Sequence, residues 1–214
     1  MTPEINTLAI ALLIIFLLLW NLDFIATLLN LKSLRPELPA EFRDTLDAEK
    51  YAKSQDYTRA SSRYHLITAT WSLTLLLVFW WMGGFGWIDT HSRALGGSIL
   101  IIGLIYIGVL YIGNYLLNLP FEIYDTFVLE ERFGFNKTTK GTFIADQIKS
   151  LILTALIGIP LIAGILWIFN NVDHAWLWAW GGVTVFTLLL TYLAPSLILP
   201  LFNKFEPMPD GELK

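Results

Sequence analysis

Leu66-Ile-Thr-Ala-Thr-Trp-Ser-Leu-Thr-Leu-Leu-Leu-Val-Phe-Trp-Trp-Met-Gly-Gly-Phe-Gly-Trp-Ile88 contains no charged residue. A helix needs about 20 apolar residues to cross the hydrocarbon core of a bilayer, and this run supplies them. Three more uncharged stretches follow, Ala94–Leu119, Ser150–Phe169 and Ala175–Phe202, and a fifth, Ile5–Leu29, carries only Asp23. Lipid offers no partner to exposed backbone N–H and C=O groups, so an open chain crosses it only as helix. The sequence therefore predicts an all-α fold, an integral membrane bundle of five transmembrane helices. They fall at about 5–29, 66–88, 94–119, 150–169 and 175–202. Two long loops, 30–65 and 120–149, complete a single membrane domain over 1–214.

Composition agrees. The chain is 55% hydrophobic and only 15% charged. A soluble domain of this size could not hide that much apolar surface. A net charge of −4 gives no reason to expect a nucleic-acid partner. The absence of cysteine excludes disulfides and thiolate metal sites. His65, His91 and His174 stand far apart, with no spacing that suits a metal motif. Met-Thr-Pro-Glu at the N-terminus has no Lys or Arg, and the apolar run behind it exceeds a signal-peptide core. The first span reads as an anchor.

Basic residues give an orientation. Lys32, Arg35, Arg43, Lys50, Lys53, Arg59 and Arg63 lie in the first long loop. Arg132, Lys137, Lys140 and Lys149 lie in the second, and Lys204 and Lys214 in the tail. Only Arg93 falls on the other side. The positive-inside rule then puts the N-terminus outside and the C-terminus in the cytoplasm. Trp80, Trp81, Trp87, Trp167, Trp176, Trp178 and Trp180 cluster at the expected outer ends, where amphipathic rings anchor helices; Trp20 and Trp71 lie nearer the inner side.

The outer turns, near Asp89–Arg93 and Asn170–His174, are about five residues each, whereas the cytoplasmic loops run to roughly thirty, far more than joining neighbours requires. Function is expected on that face. After Pro36 and Pro39, Phe42, Leu46, Tyr57, Ala60 and Tyr64 recur among charges, with Arg43–Asp47 and Glu49–Lys53 as i,i+4 pairs. This predicts a helix leading into the second span, either simply solvated or a docking surface. In the second loop Phe121, Tyr124, Phe127 and Val128 are expected on one apolar face. Gly134 suits a helix stop, and Asn136–Thr139 a polar turn. Phe133 and Phe135 beside Gly134 need something to cover them.

Phe127-Val-Leu-Glu-Glu-Arg-Phe-Gly-Phe-Asn-Lys-Thr-Thr139, followed by Phe143 and Asp146-Gln-Ile-Lys149, resembles the signature of the CAAX prenyl protease family of membrane zinc endopeptidases. Ala194-Pro-Ser-Leu-Ile-Leu-Pro-Leu-Phe-Asn-Lys-Phe-Glu-Pro-Met-Pro-Asp-Gly-Glu-Leu-Lys214 is a second match, and Leu38-Pro with Tyr51–Tyr57 a looser third. The resemblance implies helices that wall an intramembrane chamber and serve a cytoplasm-facing zinc domain. In that family the zinc domain follows these helices and carries His-Glu-x-x-His plus a later glutamate. Two His at i,i+4 share a helix face, and the intervening Glu activates zinc-bound water. No such motif stands in this sequence. No catalytic or metal residue is therefore assigned here, and the chain is expected to be inactive alone. Zinc is expected in a missing C-terminal half. The implied partners are the bilayer, that C-terminal zinc protease domain and a protein or peptide substrate. The substrate would be a prenylated C-terminal peptide in eukaryotic members, or a membrane protein under quality control in bacterial relatives. The membrane would be the endoplasmic reticulum or the bacterial inner membrane, respectively.

The expected contact with the zinc domain is Glu130, Glu131, Arg132, Phe133, Phe135, Asn136 and Lys137. Asp23 is the one ionisable group within a span, and such a group marks either a functional interior or the interface near Lys32. Asn114 and Asn118, one turn apart, are expected to serve as interhelix glue or to line a chamber. Pro160, Pro195 and Pro200 are expected to kink their helices. Gly103, Gly108 and Gly113 suggest close packing. An intramembrane protease built on a Glu-Glu pair is excluded, because it needs Glu-Glu-x-x-x-Arg inside a helix and here Arg132 follows Glu131 at once. The rival from another class is a non-enzymatic membrane scaffold or transporter subunit, favoured by lateral charge rows or inverted repeats. The sequence has neither.

Overall fold

The computed structural model describes residues 6–39 and 47–203, and among these every regular element is helical. The elements are α1 (Thr7–Ser33), α2 (Ala48–Trp81), α3 (Gly84–Ala94), α4 (Ile99–Tyr124), a π-helical segment Asp125–Glu130, α5 (Glu131–Phe133), α6 (Lys140–Asn171), α7 (Ala175–Leu193), a second π segment Ala194–Ile198, and α8 (Leu199–Phe202). Five continuous rods among them are long and apolar enough to span a membrane: Thr7–Ser33, Ala48–Trp81, Ile99–Phe133, Lys140–Asn171 and Ala175–Phe202. The most apolar stretch of each has no buried residue. Surface of that kind requires lipid. The chain forms two compact units, Met1–Gly96 with Tyr106–Thr138, and Gly97–Ile105 with Thr139–Lys214.

In the first unit α1 starts where Asn6 Oδ1 accepts from Ala9 N at 2.8 Å. Leu13, Phe16, Trp20, Phe24, Thr27 and Leu31 are half-buried at alternating spacings of three and four, the stripe a helix presents to a neighbour. The neighbour is α2. Asp47 caps α2, its carboxylate accepting from Glu49 N (2.8 Å) and Lys50 N (3.1 Å). The 34 residues of α2 reach about 50 Å at about 1.5 Å per residue. That exceeds a hydrocarbon core of about 30 Å, so the polar end of the helix projects beyond it. The expected helix of the first loop and the second span are thus one rod. Phe42, Arg43 and Leu46, and with them the Arg43–Asp47 pair, lie outside the described residues.

The uncharged run Leu66–Ile88 is not one span. It breaks at Gly83, which sits at φ 74, and restarts as α3. Asp89–Arg93, expected as a turn, is helical, and Arg93 Nε donates to Asp89 Oδ2 at 2.9 Å within it. Phe79 and Phe85 pack edge to face across the break at 4.9 Å. Likewise α4 begins only at Ile99 and its rod runs on to Phe133, so the first part of the expected second loop is helix.

The π segment overturns the expected apolar face of that loop. A wider turn shifts the side-chain phase relative to a 3.6-residue repeat. Leu129 and Phe133 become the buried residues, while Tyr124 and Val128 are about half exposed.

In the second unit α6 and α7 form a tight hairpin. Its connection is shorter than expected, since Asn170 and Asn171 end α6 and return their amides to Leu166 and Trp167 carbonyls. Pro160 lies inside α6, and Pro195 inside the second π segment. Proline supplies no N–H to the helical ladder, which accounts for the altered hydrogen bonding at Ala194–Ile198. Lys149 ties the ends of this unit together. Its ammonium is 3.1 Å from Asp146 Oδ1 and 3.2 Å from the Leu201 carbonyl. Of the three glycines expected at close contacts, only Gly103 makes one, where a Cβ would lie 2.8 Å from Leu166 Cδ1. Gly108 and Gly113 face open space. Residues 204–214 of the second resembling segment lie outside the described residues.

Candidate functional site

The long helix from Ile99 ends at Gly134, whose φ of 73 places it in the left-handed region. Phe135 N donates to the Glu130 carbonyl at 3.0 Å, and Gly134 N to Glu131 at 3.0 Å. These are the paired bonds of a Schellman stop, which satisfies carbonyls the helix end would leave open. The expected helix stop at Gly134 is therefore observed. Beyond it, Asn136 Oδ1 accepts from Thr138 N at 2.6 Å, and Thr139 Oγ1 caps α6 by accepting from Thr142 N at 3.1 Å. The path from one long helix to the next is fixed by hydrogen bonds at almost every residue.

What covers the two phenylalanines is Tyr57 of α2. Its ring meets Phe133 edge-on at 5.4 Å and Phe135 at 4.7 Å. Phe133 is buried, 9% exposed, but Phe135 remains 52% exposed. Lys53, one turn before Tyr57, holds its ammonium 5.9 Å from the Phe135 ring centre. Arg132 sits 5.6 Å from the ring of Phe133. The expected contact residues thus divide. Phe133 turns into the first unit and Asn136 closes a turn. Glu130 is half-buried and gives its carbonyl to the Schellman stop. Glu131, Arg132, Phe135 and Lys137 face outward.

Further along the same unit, aromatic side chains bridge α2 and α4. Tyr64 Oη donates to the Phe121 carbonyl at 2.7 Å, just ahead of the first π segment. Tyr64 stacks on Tyr124 at 5.2 Å, and Trp71 lies 5.7 Å from Phe121. Past these contacts a cleft of about 350 Å³ opens, and Asn114 and Asn118 line it. Asn118 Nδ2 donates to Asn114 Oδ1 at 3.0 Å and to the Asn114 carbonyl at 2.8 Å. Both asparagines lie on a concave wall.

Asp23 has a specific partner, His65 of α2, with Nε2 and Oδ2 3.0 Å apart. The sequence reading looked to Lys32 instead. His65 was legible as the last polar residue before the uncharged run, on the helix antiparallel to α1. Tyr57 and Lys53 carried no such signal, because their partners stand some eighty positions away in sequence.

Among the described residues no group of three or more His, Asp or Glu side chains comes together in a way that could hold a metal ion. The residues in hand do not fit a zinc centre.

Fold and site define a multi-pass, all-helical integral membrane protein with one elaborated helix-to-helix turn. The family model for the CAAX prenyl protease N-terminal region, five membrane helices, matches residues 27–204, and the chain belongs to that family. It is 35% identical over 192 residues to CAAX prenyl protease 1 of Saccharomyces cerevisiae, covering 83% of this chain and 42% of the yeast protein. It is 33% identical over 195 residues to the probable CAAX prenyl protease 1 of Schizosaccharomyces pombe, covering 85% and 41%. The crystal structure of S. mikatae Ste24p matches with a TM-score of 0.81 at 31% identity, over 99% of this chain and 51% of that one. The chain spans about half, or less, of the length of these relatives. Both π segments fall at the segments that carried the resemblance.

Proposed function

We propose that this chain is the membrane-embedded part of a zinc metalloendopeptidase acting on prenylated or membrane-bound protein substrates. Its helices form part of an intramembrane chamber, and the turn from Glu130 to Lys137 holds the zinc-bearing domain. One observation carries this reading. A buried Phe133, a Schellman stop and Tyr57 together fix a turn that leaves Phe135 half exposed beside Lys53, Arg132 and Lys137. Large aromatic groups ringed by cations are the composition of interface anchors. The excess of Lys and Arg in the loops supports a cytoplasmic position for that turn, with the N-terminus outside. In a eukaryotic cell the membrane would be the endoplasmic reticulum.

The test is reconstitution. Co-expressed with the C-terminal portion of the S. cerevisiae relative, the chain is expected to restore chelator-sensitive cleavage of a prenylated peptide that neither part performs alone. Cleavage by this chain alone, abolished by chelator, would overturn the reading, as would two parts that both insert and never associate.

A further inference from the structure

The cleft between α2 and α4 has two unlike ends. The two helices run antiparallel, and the Tyr64–Tyr124 and Trp71–Phe121 contacts set their register. Ser72 therefore stands level with Asn118, and Phe79 level with Leu110. One end of the cleft is polar, lined by Ser72, Asn114 and Asn118. The other is apolar, lined by Leu75, Phe79 and Val109. No lining residue is charged. An apolar cavity with a few convergent polar groups is the general form of a ligand site.

We propose that this cleft binds the isoprenoid chain of a prenylated peptide, with the amides beside the modified residue at the Asn114–Asn118 end. The occupant's chemistry follows from what lines the cleft. The asparagines and the serine hydroxyl match neutral amides, whereas a lipid phosphate would call for Arg or Lys, and neither is present. A volume of about 350 Å³ lies at the low end of the ~300–1,000 Å³ typical of ligand sites, enough for one chain and too little for a two-chain phospholipid. Asn118 holds the Asn114 carboxamide in place through Nδ2, so the polar end is ordered before a ligand arrives. The existence of a prenylated substrate rests on the function proposed above; the cleft and its polarity do not.

The experiment uses the whole chain in nanodiscs and a peptide bearing a photoreactive isoprenoid. Labelling is expected on α2 between Trp71 and Phe79 and on α4 between Val109 and Asn118. The peptide without the isoprenoid should not compete. A Cβ at Gly113 meets nothing within 4 Å, so Gly113→Leu fills the cleft without a backbone clash. That variant should lose labelling about tenfold or more while its helical content and melting stay as in the parent. Leu75→Phe is the second filling variant should Gly113→Leu fold poorly. Asn114→Leu should weaken the prenylated peptide and spare the bare prenol. Labelling elsewhere, labelling unchanged in both filling variants, or equal labelling by an acylated peptide of the same chain length would overturn the proposal. Labelling needs no zinc domain. A failure of docking therefore leaves this result intact, and a failure here leaves the reconstitution untouched.

Discussion

His65 of α2 hydrogen-bonds Asp23 of α1, Nε2 to Oδ2 at 3.0 Å, with each side chain about half exposed. An ionisable group within an apolar helix is expensive unless paired, and here the pair joins two antiparallel helices. Removing either partner strands the other.

Asp23→Ala and His65→Ala should each destabilise the first unit, and the double variant should cost less than their sum. Interhelical hydrogen bonds in membranes couple by about 0.6 kcal/mol on average, with a maximum near 1.7. A double-mutant cycle from denaturant titration in micelles measures this. Strict additivity would show that the pair contributes nothing.

Phe133 and Phe135 should behave oppositely despite standing two residues apart. Phe133→Ala empties a buried position under Tyr57 and should cost about 3–5 kcal/mol, the range for buried aromatics. Phe135→Ala, at a half-exposed site, should cost much less. Thermal melting of both variants decides it, and equal losses would contradict the packing described.

Gly134 holds a left-handed conformation at φ 73, and a Cβ there would lie 3.6 Å from Lys53 Nζ, an ordinary contact. The backbone, not space, is therefore the obstacle. Gly134→Ala should cost on the order of 1–2 kcal/mol. Gly134→Asn should lose less, because Asn accepts this region more readily. Melting temperatures that rank the two variants the other way would count against a Schellman stop.

Asp47 predicts a pH effect at the start of α2. The N–H of Lys50, then that of Glu49, hold its carboxyl below the ordinary 3.8. A depressed folded value means the cap's contribution is complete above the unfolded value and fades as pH falls through the folded one. Amide exchange at Glu49 and Lys50, corrected for intrinsic rates, should stay protected down to about pH 4 and open below it. Asp47→Asn should remove that pH dependence. Identical pH profiles for parent and variant would exclude the cap.

The five rods were legible because each is uncharged, or nearly so, over the length a bilayer demands. What hydropathy cannot register is a hinge inside an uncharged run, so the break at Gly83 and the separate α3 were missed. The α-helical period assumed for Phe121–Val128 fails because Asp125–Glu130 is π-helical, and the buried face moves to Leu129 and Phe133. The stop at Gly134 was readable from local chemistry. Its cover, Tyr57, was not, since distant pairings leave no periodic trace. Asn114 and Asn118 were recognised as a pair sharing a face, but the cleft they line depends on aromatic props from another helix.

The most direct test of the account places a photocrosslinking residue at position 135 of the chain, co-expressed with the zinc-bearing portion of a relative, and at position 133 as a buried control. The account predicts a covalent adduct with the zinc-bearing polypeptide from position 135 and little or none from position 133. Adducts from position 135 confined to lipid, in a preparation that still cleaves substrate, would contradict it.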